Sequence, residues 1–275
     1  MIITFIGGGN MASALIGGLL GRGFGPGQLR VVEPNPETAE RLAQRYGVAV
    51  QAAPDAAILA CDLVLLAVKP QQLRGVATGL APHLAQQLVV SIAAGVRAAD
   101  LSRWLGGYRR LVRAMPNTPA MVQAGITGLY ALPEVTEAER RRAEDVLAAV
   151  GEVVWVAEEG EMDVITAVSG SGPAYVFYFM EALEEAAITL GLTETQARRL
   201  SFATFAGATR LAGASSEDVA TLRARVTSKG GTTERALATM EAAGLKAIIA
   251  GAVRAAAQRA RELGDELGRD DAASS

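Results

Sequence analysis

Met1-Ile2-Ile3-Thr4-Phe5-Ile6-Gly7-Gly8-Gly9-Asn10-Met11-Ala12 opens the chain and decides how the rest is read. An apolar strand runs into a glycine turn, and an apolar helix with Ala14, Leu15 and Leu19 follows, the order of a dinucleotide-binding unit. Gly7 permits the tight turn, Gly9 lets a pyrophosphate approach the backbone, and Ala12 lets helix and strand pack closely. Amides at the helix start are free to hold phosphate. The triplet alone would also suit an ordinary turn; the strand before it and the helix after it separate the two readings.

Working outward, short apolar segments alternate with helical stretches as far as Val156: Leu29–Val32, Val48–Val50, Leu63–Val68, Leu88–Ile92, Leu111–Ala114, Ile126–Tyr130 and Val153–Val156. That alternation predicts a doubly wound, mostly parallel sheet covered on both faces. Pro36 and Pro70 open helices and Gly47 closes one. After Glu158-Glu159-Gly160 the strands stop and helices follow, with breaks expected at Gly191, Gly213, Gly230-Gly231, Gly244 and Gly264. Thr193 and Gln196 have the spacing of a capping box, and Leu245, Ile248, Ile249, Ala252, Val253, Ala256 and Ala260 form one helical stripe. The expected division is an α/β Rossmann domain over 1–160, an all-α dimerisation and substrate domain over 161–267, and a disordered tail over 268–275. Alanine-rich helices with small residues on several faces carry more apolar surface than that half encloses, which implies at least an obligate dimer.

The chain has 275 residues and a net charge of −3, with no basic cluster interleaved with aromatics, so it does not read as a nucleic-acid binder. A single cysteine, Cys61, excludes an internal disulfide and a multi-cysteine metal site, and no metal is expected. No basic leader precedes the first apolar segment and no apolar run reaches about 18 residues. A cytoplasmic protein without a membrane partner is the expectation.

Dehydrogenases acting on alcohols need a group to move the hydroxyl proton, and such groups are scarce. The one histidine, His83, lies among Leu80, Pro82 and Leu84, and there is no tyrosine followed four residues later by lysine. Ser169-Gly170-Ser171-Gly172-Pro173-Ala174, where hydroxyacid dehydrogenases of this domain order carry a lysine, has none. A cyclic imine removes the difficulty because its nitrogen brings the proton, so the protein must supply orientation, a dry site and a seat for an anionic handle. Val226-Thr227-Ser228-Lys229-Gly230-Gly231-Thr232-Thr233-Glu234 places hydroxyls and glycines just before a helix, which suits a carboxylate and equally suits a flexible N-cap.

These stretches resemble the pyrroline-5-carboxylate reductase family over nearly the whole length. The matching motifs are FIGGGNMA ending at Ala12, AVKP at Ala67–Pro70, RAMPNTP at Arg113–Pro119, AVSGSGPAYVF at Ala167–Phe177 and VTSKGGTTERAL at Val226–Leu237. The resemblance implies NAD(P)H-dependent reduction of 1-pyrroline-5-carboxylate to L-proline, an oxidoreductase acting on CH–NH donors. It implies a homodimer through the C-terminal helices and, in many members, a decamer. Residue by residue, it implies cofactor contacts from Gly7, Gly9, Asn10 and Met11, then Ala67, Lys69 and Pro70, with Asn117 near the nicotinamide. Ser228, Gly230, Gly231 and Thr232 would hold the substrate carboxylate and Thr233 the ring nitrogen, from a loop thought to come from the second subunit. Glu33 departs from the family habit of a small hydroxylated residue and NADPH, since an acid about 20 residues after the fingerprint binds the ribose of NAD. It tilts the expectation towards NADH, unless Glu33 turns outward and Asn35 meets the cofactor, or Arg30 intervenes. Rival readings are a related reductase of another small imino or hydroxy acid, and a nucleotide-binding sensor without turnover.

Overall fold

The computed structural model describes residues 1–269. Its apolar segments form β1 (Ile3–Ile6), β2 (Leu29–Val32), β3 (Ala49–Gln51), β4 (Leu63–Leu66), β5 (Leu88–Ser91), β6 (Leu111–Met115), β7 (Gly125–Ala131) and β8 (Gly151–Trp155). They join in one sheet of order β3-β2-β1-β4-β5-β6-β7-β8, a doubly wound arrangement whose order reverses beside β1. Neighbours are parallel except β6 and β7, where Val112 lies opposite Ala131. The link between those two strands, a 3-10 turn at Thr118–Val122 with its flanks, is too short for the crossover a parallel pair needs.

Helices α1 (Asn10–Gly21), α2 (Pro36–Tyr46), α3 (Pro70–Leu80), α4 (Ala98–Trp104), α5 (Glu137–Leu147) and the short α6 (Glu161–Ile165) connect the strands or follow them. Alternate residues of each strand point to opposite faces. Ile3, Phe5, Leu63 and Leu65 therefore meet Leu15 and Leu19 of α1 and Val146 and Leu147 of α5. On the other face Ile6, Val64 and Leu66 meet Leu73 and Ala77 of α3 and Leu101 and Trp104 of α4. Pro36 and Pro70 occupy first helical positions, and Gly47 ends α2 with a left-handed backbone at φ 66°.

Past β8 the described chain is helical: α7 (Gly172–Thr189), α8 (Glu194–Gly213), α9 (Val219–Arg225), α10 (Thr232–Ala242) and α11 (Leu245–Gly268). Thr193 and Gln196 do form a capping box on α8. Two compact units result, one of Met1–Ser171 with the chain from Ala256 on, the other of Gly172–Ala255. The first boundary thus falls after Ser171 where the sequence pattern suggests 160, and the second half of α11 belongs with the Rossmann unit.

Two expectations need correction. Gly264 is not a break but a buried position inside α11, where a Cβ would come within 3.1 Å of Arg97 Nε and 3.2 Å of the Gly95 carbonyl. The expected tail begins too early, because Gly268 still belongs to α11 and its carbonyl accepts from Arg103 Nη2 at 2.8 Å; residues 270–275 lie outside the described residues. In the second unit Phe177, Tyr178 and Phe202 are 63%, 71% and 65% exposed and line an open cavity of about 880 Å³. Among the described residues no single helix is long and apolar enough to cross a membrane.

Candidate active site

The carboxyl edge of the parallel strands, where such sheets bind ligands, holds a cavity of about 510 Å³. Gly7, Gly8 and Gly9 form one wall, Val32, Glu33 and Pro34 a second, and Ala67, Val68 and Lys69 a third. Gly7 has a positive φ of 100°, and a Cβ there would lie 2.7 Å from the Ala67 carbonyl oxygen, so only glycine fits this turn. A Cβ on Gly9 would meet nothing within 4 Å. That open space lies at the N-cap of α1, which has no side-chain acceptor over its first-turn amides. A cradle kept clear of side chains, beside a helix start with bare donors, fits a dinucleotide pyrophosphate.

Glu33 turns inward at the end of β2. Its Oε2 accepts the Gly8 N–H and its Oε1 accepts the Asn35 N–H, both at 2.8 Å. Asn35 is spent otherwise, since its Oδ1 caps α2 by accepting the Thr38 N–H at 2.9 Å. Arg30 donates from Nη1 to the carbonyls of Ala57 and Ala60 at 2.8 and 3.1 Å. The nearest arginine in sequence is therefore tied to the loop before β4. Lys69 lines the cavity and Pro70 starts α3. Met11 packs its side chain against the core, and Asn10 lines a smaller neighbouring cavity with Arg41, Arg45 and Tyr46. Both can meet a phosphate only through backbone amides or, for Asn10, from the rim.

Beyond the end of β6, Asn117 is buried, with its Nδ2 donating to the Ser169 carbonyl at 3.1 Å and its Oδ1 accepting the Ile126 N–H at 3.0 Å. The Ser169 carbonyl belongs to a turn of π-helix, Thr166–Gly170. Arg113, on β6 itself, is buried and pairs with Glu159 at 3.1 Å, whose Oε1 also accepts the Ala98 N–H at 2.6 Å. Burial pushes the neighbouring Asp163 carboxyl up, against the pull of Arg113 and Arg97.

In the helical unit, the loop before α10 presents Ser228, Lys229, Gly230 and Thr232 at the surface, with Gly231 and Thr233 half-buried. Gly230 has a φ of 73°. Its N–H donates to Glu234 Oε2 at 2.7 Å, and the Gly231 N–H donates to the Ser228 carbonyl at 3.0 Å. The glycine amides are thus committed within the loop. The first-turn amides of α10, from Thr232 and Thr233, have no intrahelical acceptor, and with the hydroxyls of Ser228, Thr232 and Thr233 they are the donors left for an anion. Glu234 went unread in the sequence, although an acid three residues after the N-cap Gly231 is a capping-box position.

Two family models match the chain. Residues 159–263 match one described as "Pyrroline-5-carboxylate reductase dimerisation", and residues 2–95 one described as "NADP oxidoreductase coenzyme F420-dependent". A pyrroline-5-carboxylate reductase of Pseudomonas aeruginosa is 44% identical over 268 residues, covering 97% of this chain and 98% of that protein. The chain belongs to the pyrroline-5-carboxylate reductase family. A solved reductase of this family from Coxiella burnetii superposes with a TM-score of 0.91 at 43% identity, covering 95% of this chain and 97% of that one. The Plasmodium falciparum pyrroline carboxylate reductase, solved with NADP bound, gives 0.83 at 27%, covering 96% and 98%.

Proposed function

We propose that this chain reduces 1-pyrroline-5-carboxylate to L-proline with NAD(P)H, the glycine cradle holding the dinucleotide and the α10 loop holding the substrate. The observation that carries the reading is the bare helix start at Gly9–Asn10 beside an open cavity, in a chain whose relatives named for this reaction match it end to end. When bound, the reduced nicotinamide supplies a hydride to the ring carbon beside nitrogen. The chain's own residues bind and orient. First-turn amides of α1 take the pyrophosphate, Ala67 and Lys69 line the dinucleotide's path, and Thr232, Thr233 and Ser228 donate to the substrate carboxylate at the positive end of α10. The Thr233 hydroxyl is assigned to the ring nitrogen. Gly230 and Gly231 shape the loop, their amides already being engaged.

NADH is the preferred coenzyme on this reading. A carboxylate offers about four acceptor sites, and two amides on Glu33 leave one on each oxygen for the ribose hydroxyls. A 2′-phosphate in the same place would face that fixed negative charge, with Arg30 committed elsewhere. The open aromatic face of the helical unit supports a homodimer through these helices, built in the decamer into a larger assembly of the same chains. The net charge of −3, with no basic cluster interleaved with aromatics, supports partners that are the small substrate and copies of this chain and not nucleic acid, and the assigned reaction places the enzyme in the cytoplasm, away from the membrane.

The test is an assay of purified protein with 1-pyrroline-5-carboxylate and each coenzyme, following nicotinamide absorbance and proline. Proline should form, with kcat/KM at least about tenfold higher for NADH than for NADPH, and Glu33→Ser should narrow that ratio. Absence of proline would end the reading of the reaction, and an NADPH preference would end the reading of Glu33.

A further inference from the structure

Ser169 sits in the turn of π-helix Thr166–Gly170, closed by the Ser171 N–H donating to the Thr166 carbonyl at 2.8 Å. In a regular helix the Ser169 carbonyl would accept from the N–H four residues on, but that residue is Pro173, which has none. Ser169 is half-buried, and a carbonyl shut off from water without a donor costs about 1 to 3 kcal/mol, so a side-chain donor stabilises it. Asn117 Nδ2 is that partner. The orientation of the carboxamide is dictated by its neighbours, since Ile126 offers only an N–H and Ser169 only an oxygen.

The two motifs that carry Asn117 and Pro173, RAMPNTP and AVSGSGPAYVF, are thereby coupled. One supplies a side-chain donor where the other has no N–H at position 173. Gly170 tightens the joint, because a Cβ there would come within 2.6 Å of Met115 Cε. The joint lies past the carboxyl end of β6, three strands from β1 in the sheet order, or about 14 Å at about 4.8 Å per strand. With the pyrophosphate on the glycine turn after β1 and the ribose beside Glu33 at β2, the nicotinamide end extends in the β4 to β6 direction. Turns of π-helix are frequent at functional sites because they aim backbone and side chains that a regular helix would point elsewhere.

We infer that Asn117 is a positioning residue for hydride transfer, which holds the π-turn Thr166–Gly170 in shape by replacing the N–H that Pro173 lacks. This rests on the reductase reading above. One donor hydrogen of its carboxamide remains, so the inference concerns the role through Ser169 and predicts a dependence on Pro173 that a direct nicotinamide contact would not have.

The experiment compares Asn117→Ala, Pro173→Ala and the double variant in the full-length protein. Three quantities are measured: NADH affinity by fluorescence, steady-state kinetics, and amide hydrogen exchange in peptides covering residues 162–171. Asn117→Ala should speed exchange there and lower kcat/KM for 1-pyrroline-5-carboxylate by about tenfold, with NADH affinity changed less than about threefold. Adding Pro173→Ala, which restores the missing N–H, should return protection and bring kcat/KM within about threefold of the Pro173→Ala single variant. Asn117→Asp, which keeps the acceptor for Ile126 and removes the donor, serves if the alanine variant fails to fold, with the same outcome expected. Unchanged exchange in 162–171, or no rescue by Pro173→Ala, overturns the inference. Should the wild-type protein form no proline, the reductase reading falls, and the exchange data alone still decide whether Asn117 acts through the turn.

Discussion

Gln123 is the one non-glycine with a left-handed backbone among the described residues, at φ 59°. It closes the 3-10 turn Thr118–Val122, and its exposed side chain enters no described hydrogen bond. An L-residue in that conformation costs about 1 to 2 kcal/mol, partly offset by the greater unfolded-state freedom of glycine. Gln123→Gly should therefore raise stability by about 0.5 to 1 kcal/mol in urea unfolding at fixed protein concentration; a destabilised variant would show that the side chain contributes more than the strain removes. The same scale shows where residue identity was readable. Glu33 could be singled out by its distance from the glycine turn, where an acid can meet a ribose. Whether it or Asn35 lines the cavity depended on the helix cap at Asn35, and Thr38 three residues on is no more than a hint of it. The commitment of the Gly230 and Gly231 amides was not legible either, since it hangs on where the Glu234 side chain goes.

Elements followed from the sequence where local chemistry specifies them. The eight strands are short apolar runs between turn residues, and proline or a hydroxyl marks several helix starts, so their existence could be read with ends shifted by a residue or two. The antiparallel β7, the π-turn and the unbroken helix through Gly264 could not, because each depends on a partner distant in the chain: β6 for the strand, Asn117 for the turn, Arg97 and Gly95 for the glycine. Helix α5 illustrates a well-specified element. Thr136 and Glu139 form its capping box, and Glu139, nearly inaccessible to solvent, also binds Arg110 at 2.6 Å. Burial works to raise the Glu139 carboxyl, but the Thr136 hydroxyl and amide and the Arg110 guanidinium outweigh it, so its pKa lies below the usual range. A lowered folded value contributes stability that is present above the unfolded pKa, about 4.3, and is lost as pH falls through the folded value. Glu139→Gln should thus destabilise at pH 7 by about 1 to 3 kcal/mol, and the gap to wild type should shrink as the pH drops below about 4. A gap independent of pH would show that the ion pair contributes nothing.

On the scale of the whole molecule, the sequence separates a Rossmann half from a helical half because the short apolar strand runs stop after Gly160 and helical stretches alone follow. It does not reveal that α11 crosses from one compact unit to the other, since a helix's stripe looks alike whatever it packs against. The apolar excess of the helical half was visible as composition and is visible again as exposed Phe177, Tyr178 and Phe202. The account as a whole depends on the donors at the start of α10 holding the substrate. The measurement that tests this most directly is the kinetics of Thr233→Ala with 1-pyrroline-5-carboxylate, alongside its NADH affinity. A fall in kcat/KM of at least about tenfold, about 1.4 kcal/mol of transition-state stabilisation, with NADH affinity unchanged is the expected result. Near wild-type kinetics would contradict the account.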